Sequence, residues 1–164
     1  MPTDLFVNQE LQAHLIALGL AQHPDDPPST TLPSVWLMPY DGAPQPRPDR
    51  LGGFAENATI TISEMDFAAP NQPADLEEAY VDILIRARNE AMAKLLHRQI
   101  RGVIIDPRDT AGMRRMWTMG ALLVEYSTTW RVEQTVAADN VSTDRTCSYR
   151  FGCRRKILAG TTYP

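Results

Sequence analysis

Two stretches near the C-terminus alternate with a period of two, and that pattern constrains the fold more than anything else in the chain. From Leu122 to Val132, Leu122, Val124, Tyr126, Thr128, Trp130 and Val132 share one face; Leu123, Glu125, Ser127, Thr129, Arg131 and Glu133 share the other. From Thr143 to Lys156 the pattern returns: Cys147, Tyr149, Phe151 and Cys153 on one side, Ser148, Arg150, Arg154 and Lys156 on the other. Side chains on a strand point alternately to opposite faces, so such a pattern is the mark of a half-buried strand. The link between the two stretches carries the turn-prone pair Asp139-Asn140. The segment therefore predicts a long antiparallel hairpin with an apolar and a charged face. Strands run to roughly 5–6 residues, and these are about twice that, long enough to reach a neighbouring subunit.

At 164 residues the chain is expected to form a single domain over 1–164, with a loose tail at about 157–164. With 43% hydrophobic and 22% charged residues, its composition is that of an ordinary globular protein. A net charge of −4 argues against a general nucleic-acid binder. No run of about 18 apolar residues predicts a membrane span, and Met1–Asp4 shows no basic-then-apolar leader. Cys147 and Cys153 fall on one predicted strand, about 20 Å apart at roughly 3.3 Å per residue. A disulfide needs Cα atoms within about 7 Å, so both are expected as reduced, buried thiols.

Elsewhere the reading is mixed. Asp4–Leu20 predicts a helix with Val7, Leu11, Leu15 and Leu18 in one stripe and Thr3 or Asp4 as cap. Val35–Tyr40 and Ala58–Ser63 predict strands. Between them lies a loop with Pro44, Arg47, Pro46 and Pro48 followed by Gly52-Gly53, of extended, polyproline-like character and a candidate partner arm. Asp75–Gln99 predicts a long helix: Asp75 and Glu78 have capping-box spacing, Leu76, Tyr80, Ile83, Leu84, Ala87, Ala91 and Leu95 form a stripe, and Gly102 is a stop. Val103–Ile105 predicts a short strand, Asp106–Asp109 a turn, and Thr110–Thr118 is undecided between helix and irregular chain. The resulting fold class is α+β: a largely antiparallel or mixed sheet with a long C-terminal hairpin, packed by an N-terminal helix and a long central helix.

The sequence offers little to chemistry. Gly52-Gly53 has neither phosphate-loop spacing. His14, His23 and His97 are scattered, neither cysteine has a CxxC partner, and Asp25-Asp26 reads as a solvated pair. His97 falls on the polar face of the expected helix. No catalytic residue, cofactor or metal is assigned, and no enzymatic activity is expected. The charges are more informative. Arg145, Arg150, Arg154, Arg155 and Lys156 cluster at the end of an acidic chain, while Glu56, Glu64, Asp66, Asp75, Glu77, Glu78 and Asp82 gather earlier. Two such regions can meet head to tail between subunits and close a ring; a solvated face with internal ion pairs is the alternative. Arg88, inside the broad apolar arc of the expected helix, is a further candidate contact.

The order of these elements resembles that of bacteriophage tail terminator proteins, the phage minor capsid proteins of the tail-terminator type. The resemblance rests on the N-terminal helix with Leu11–Leu18, the strand Val35–Tyr40 entering a proline-rich loop, the strand Ala58–Ser63, the long helix Leu76–Gln99, and the final hairpin with Val132–Gln134 and Arg150–Cys153. It implies a non-enzymatic α+β subunit that assembles with itself into a six-fold ring in the virion, at the head-proximal end of the tail, after assembly in the host cytoplasm. Its implied partners are the major tail tube protein and head-completion or neck proteins, with no membrane and no specific nucleic-acid binding. The family supplies no catalytic residue to carry over. Another neck or tail ring, such as a head–tail joining protein, and a small ligand-binding α+β module are the alternatives.

Overall fold

The computed structural model describes residues 7–26, 31–38, 58–66, 76–105, 117–120, 122–136 and 143–155. The elements are α1 (Val7–Ala17), β1 (Ser34–Met38), β2 (Ala58–Asp66), β3 (Leu76–Ala87), α2 (Glu90–Ile104), β4 (Trp117–Met119), β5 (Leu122–Val136) and β6 (Thr143–Arg155). Among the described residues the strands form one six-stranded sheet in the order β1-β2-β3-β6-β5-β4. β1 and β2 are parallel and every other neighbouring pair is antiparallel. The fold is thus α+β with a mixed sheet.

Both helices pack on one face of this sheet. Val35, Leu37, Ile60, Ile62, Val81, Ile83, Ile85, Cys147, Tyr149, Phe151, Cys153 and Val124 supply that face and belong to one buried core. Val7, Leu11 and Leu15 of α1, and Ala93, Leu96, Ile100 and Ile104 of α2, close it from above. α1 touches both ends of the sheet order. Gln12 donates to the Val35 carbonyl of β1 at 2.9 Å, while the His14 ring lies 5.2 Å from that of Trp117 in β4. The sheet therefore curls around α1. The helix ends in a Schellman arrangement: Leu20 N–H donates to Leu15 O, Gly19 N–H to Ile16 O, and Gly19 takes φ +72. Leu18, expected in the apolar stripe, falls in this exit and is exposed. The proposed caps Thr3 and Asp4 lie outside the described residues.

The long helix over Asp75–Gln99 is overturned. Residues 76–87 are a strand, and the helix begins only at Glu90. The stretch fits both periods, because it is apolar at nearly every second and every fourth position. What decides is that Ala79, Val81, Ile83, Ile85 and Ala87 share one parity and all are buried. Three are β-branched, which costs little on a pleated surface and more in a helix. Asn89 then caps α2, its side chain accepting from Met92 N–H at 2.9 Å. Gly102 sits inside α2, and Val103 and Ile104 are its last turn instead of a strand.

β5 and β6 pair antiparallel from Leu122↔Arg155 to Val136↔Thr143. Register shifts between Val124 and Tyr126, and again between Thr129 and Arg131, correct the simple alternation. One extra residue flips every following side chain to the other face. Tyr126 and Thr128 thus leave the helix side and Ser127 joins it, where its hydroxyl donates to the Ile104 carbonyl at the end of α2. The second shift returns Val132 to the helix side, opposite Cys147. Cys147 and Cys153 are both free and buried.

Candidate functional site

Two polar clusters lie on β6, one on each face of the sheet. On the face away from the helices, Glu78 of β3 pairs with Gly152 of β6, and Gly152 pairs with Tyr126 of β5. The Tyr126 ring crosses over the glycine and its hydroxyl donates to Glu78 Oε2 at 2.9 Å. A Cβ at position 152 would overlap that ring. Arg150 completes the group: its Nε lies 2.6 Å from Glu78 Oε1, and its Nη2 donates to Oε2 at 2.8 Å. Its guanidinium also lies 5.5 Å from the centre of the Tyr126 ring. The Glu78 side chain is only 5% exposed whereas that of Arg150 is 42% exposed. The Arg150 guanidinium holds the Glu78 carboxyl below the usual carboxylate range, against the pull of burial, and Tyr126 helps. Burial, with the hydrogen bond to Glu78, pushes the Tyr126 hydroxyl up. Further along the same face Ser148 donates to Asp82 at 2.6 Å, and Arg86 lies 3.6 Å from Asp144. These are ties across β3, β6 and β5.

The second cluster is on the helix side. Arg145 follows the parity of the buried cysteines and sits between Ile85 and Gln134. Its Nε donates to His97 Nδ1 of α2 at 2.8 Å, and its Nη1 donates to Gln134 Oε1 at 2.7 Å. His97 is buried, not exposed as the helical wheel over Asp75–Gln99 required, because the true helix is set in a different frame. Burial lowers its pKa, and Arg145 and Arg101 lower it further. Burial raises the Cys147 thiol nearby, which keeps it in the unreactive protonated form.

His97, and half-buried His14 whose pKa burial alone lowers, both contribute to the loss of stability on the acid side. Below pH 6.5 the unfolded chain binds a proton at each, while the folded chain resists it. Protons bound by the unfolded state in excess make stability fall as pH falls, until the folded histidines also titrate below their lowered pKa. The urea midpoint is expected to be lower at about pH 5.5 than at about pH 7.5. His97→Gln, which keeps an acceptor for Arg145, is expected to flatten part of that drop. Equal midpoints would show that the buried imidazoles are not held neutral. Glu78 acts in a separate, more acidic window: its stabilisation is complete above the ordinary glutamate pKa and is lost as pH falls through its lowered one.

The residues marked from sequence divide accordingly. Arg150 is engaged with Glu78, and Arg145 with His97 and Gln134. Glu78 and Asp82, read as part of a distant acidic region, are on the strand next to β6. Arg88 is not within an apolar arc; it is exposed in the short link between β3 and α2. The side chains of Arg154 and Arg155, together with Lys156, Pro44, Pro46, Arg47, Pro48, the Asp106–Asp109 turn and the tail from 157, lie outside the described residues. Sequence reasoning missed Tyr126, Gly152 and His97. A glycine at an outward strand position opposite an aromatic was the signal for the first two; nothing short of the correct helix frame would have revealed the third.

Among the described residues no group of three or more His, Cys, Asp or Glu could hold a metal ion. No described helix is long and apolar enough to cross a membrane. No protein-family model matches the chain, and no curated protein matches it in sequence.

Proposed function

We propose that this chain is a structural subunit of a phage tail, a tail terminator that forms a ring on the head-proximal end of the tail tube. The observation that carries the reading is the state of the end of β5. Thr128, Arg131, Val132, Glu133, Thr135 and Val136 are exposed although they stand in a strand paired with β6, and two of them are valines. α2 packs mainly against β3 and β6 and meets this stretch through Glu90, hydrogen-bonded to Gln134, which leaves the exposed side chains of the strand end for contacts between subunits. The polar clusters, by contrast, are taken up by ties within the sheet and between β6 and α2. The resemblance in element order supports the same reading through α1, β1, β2 and the β5–β6 pair; the long central helix no longer contributes to it.

In this reading side-by-side contacts close the ring, with six-fold symmetry as the family implies. One ring face matches the last ring of major tail tube protein, and the other refuses further tube subunits and receives the head-completion or neck proteins. Growth stops through surface mismatch and needs no reaction, so neither an enzyme activity nor a cofactor enters. Deleting the gene is expected to give overlong tails, or tails that do not join heads, while heads still assemble; electron microscopy of lysates reads this directly. Tails of normal length joined to heads would overturn the function. A defect confined to DNA packaging would move the protein to the neck, as a head–tail joining ring.

A further inference from the structure

We infer that β5 is a homotypic docking edge: residues 132–136 pair antiparallel with the same residues of a second copy of this chain, around a two-fold axis at Gln134. The inference rests on the same exposed end of β5 as the ring reading but gives it a two-fold partner. A two-fold contact closes on itself and leaves no head-to-tail contact there. Mass separates the two, since a dimer supports this inference and a six-subunit species without doubling supports the ring instead.

The two edges of the sheet are treated differently. At the β1 edge, Val35 N–H donates to Gln22 O at 3.0 Å, and the Val35 carbonyl accepts from Gln12 at 2.9 Å. That edge is capped from within the chain. At the other end, β4 covers β5 only at Leu122–Val124. Among the described residues no strand pairs with 132–136 on the side away from β6. An open edge is a template for another strand. The two register shifts, which twist an edge and hinder such pairing, lie upstream of Arg131, and the ladder from Val132 to Val136 is unbroken.

Side-chain placement then selects the occupant and the register. Val132 and Val136 are 42% and 53% exposed, and both lie on the helix side, opposite Cys147 and Thr143. With the axis at Gln134, Val132 faces Val136 of the second copy and Val136 faces its Val132, so each exposed valine gains an apolar partner. On the other face Glu133 meets Thr135 twice. Moving the axis one residue back would set Glu133 against itself, and like charges directly opposite are unfavourable. The segment is self-complementary in one register, which is the requirement of an isologous contact. So short an edge makes a small interface, and association is expected only at about 10–100 µM.

The register makes the test specific. V132K/V136K sets lysine against lysine at both pairs; V132K/V136E sets lysine against glutamate at both. Both sites are exposed, so each variant is expected to unfold at nearly the wild-type temperature, which thermal melts check. Sedimentation velocity from about 5 to 500 µM is expected to show wild-type mass doubling with concentration. The lysine pair should weaken the doubling about tenfold or more, and the charge-paired variant should restore it to within a few-fold. Hydrogen exchange at 132–136 should slow as wild-type concentration rises. Three results overturn the inference: no concentration-dependent doubling, V132K/V136K doubling like wild type, or V132K/V136E as weak as V132K/V136K. Protection at 132–136 that does not change with concentration also overturns it, since the chain's own residues would then cover the edge.

Discussion

Arg150→Glu is expected to lower the stability of this fold by about 2–4 kcal/mol. The full cost of breaking a buried ion pair is about 3–5 kcal/mol; the lower figure allows for the solvent already reaching Arg150, whose side chain is 42% exposed while Glu78 is at 5%. The charge change removes both contacts to Glu78 and places a second carboxylate beside one that burial already disfavours. It also strips the Tyr126 ring of its cation. Urea denaturation at neutral pH should show the loss as a lower midpoint with an unchanged slope. The deficit should shrink in acid, where the crowded carboxylates take up a proton and stop repelling. Arg150→Lys, which keeps the charge and loses the fork, should fall between the two. A wild-type midpoint for Arg150→Glu would mean that the Glu78 cluster contributes nothing to folding. One consequence concerns assembly. Read from sequence, reversing Arg150 and Arg154 tests a subunit contact in an intact fold. With Arg150 tied to Glu78, an assembly defect in that variant would report damage to the sheet, so exposed positions such as Val132 and Val136 are the ones that probe the proposed contact.

How far the fold was legible depended on whether a segment satisfied one period or two. β6 satisfies only one: Cys147, Tyr149, Phe151 and Cys153 alternate with polar residues, and all are buried. β3 satisfies two. Leu76, Tyr80, Ile83, Leu84 and Ala87 line a helical stripe, while Val81, Ile83 and Ile85 line a strand face. Only the β-branched run and the Asn89 cap argue for the strand. That single misreading displaced three others, since it placed His97 outside, Arg88 in an apolar arc and Glu78 on a helix. The register shifts in β5 were not legible at all. A bulge is a property of two strands, and no residue within β5 announces which positions will be left unopposed. The clusters followed the same rule. Their charges were visible, but the pairing of Arg150 with Glu78 spans 72 positions and depends on β3 lying beside β6.

Gly152→Val is expected to destabilise the protein by about 3–5 kcal/mol, against the direction that local propensity alone would give. On strand preference valine should be better than glycine by up to about 1 kcal/mol, because glycine in a strand has no side chain to pack. Here the empty position carries the Tyr126 ring from β5 to Glu78 on β3. Any Cβ meets that ring. Overpacking of this kind costs about 1–3 kcal/mol, and a ring forced aside leaves Glu78, whose hydrogen bond to a neutral donor is worth about 1.5–3 kcal/mol for a charged acceptor. The two losses together exceed the propensity gain. The cause can be isolated in the background Tyr126→Ala, where the ring is gone and the position is open. There Gly152→Val should be neutral or slightly stabilising, so the double variant should be far more stable than the sum of the single losses, with a coupling of about 2 kcal/mol or more. Additive losses would show that Gly152 is required by the backbone itself and not by the tyrosine lying across it, and the link from β5 to Glu78 would then have to be sought in Arg150 alone.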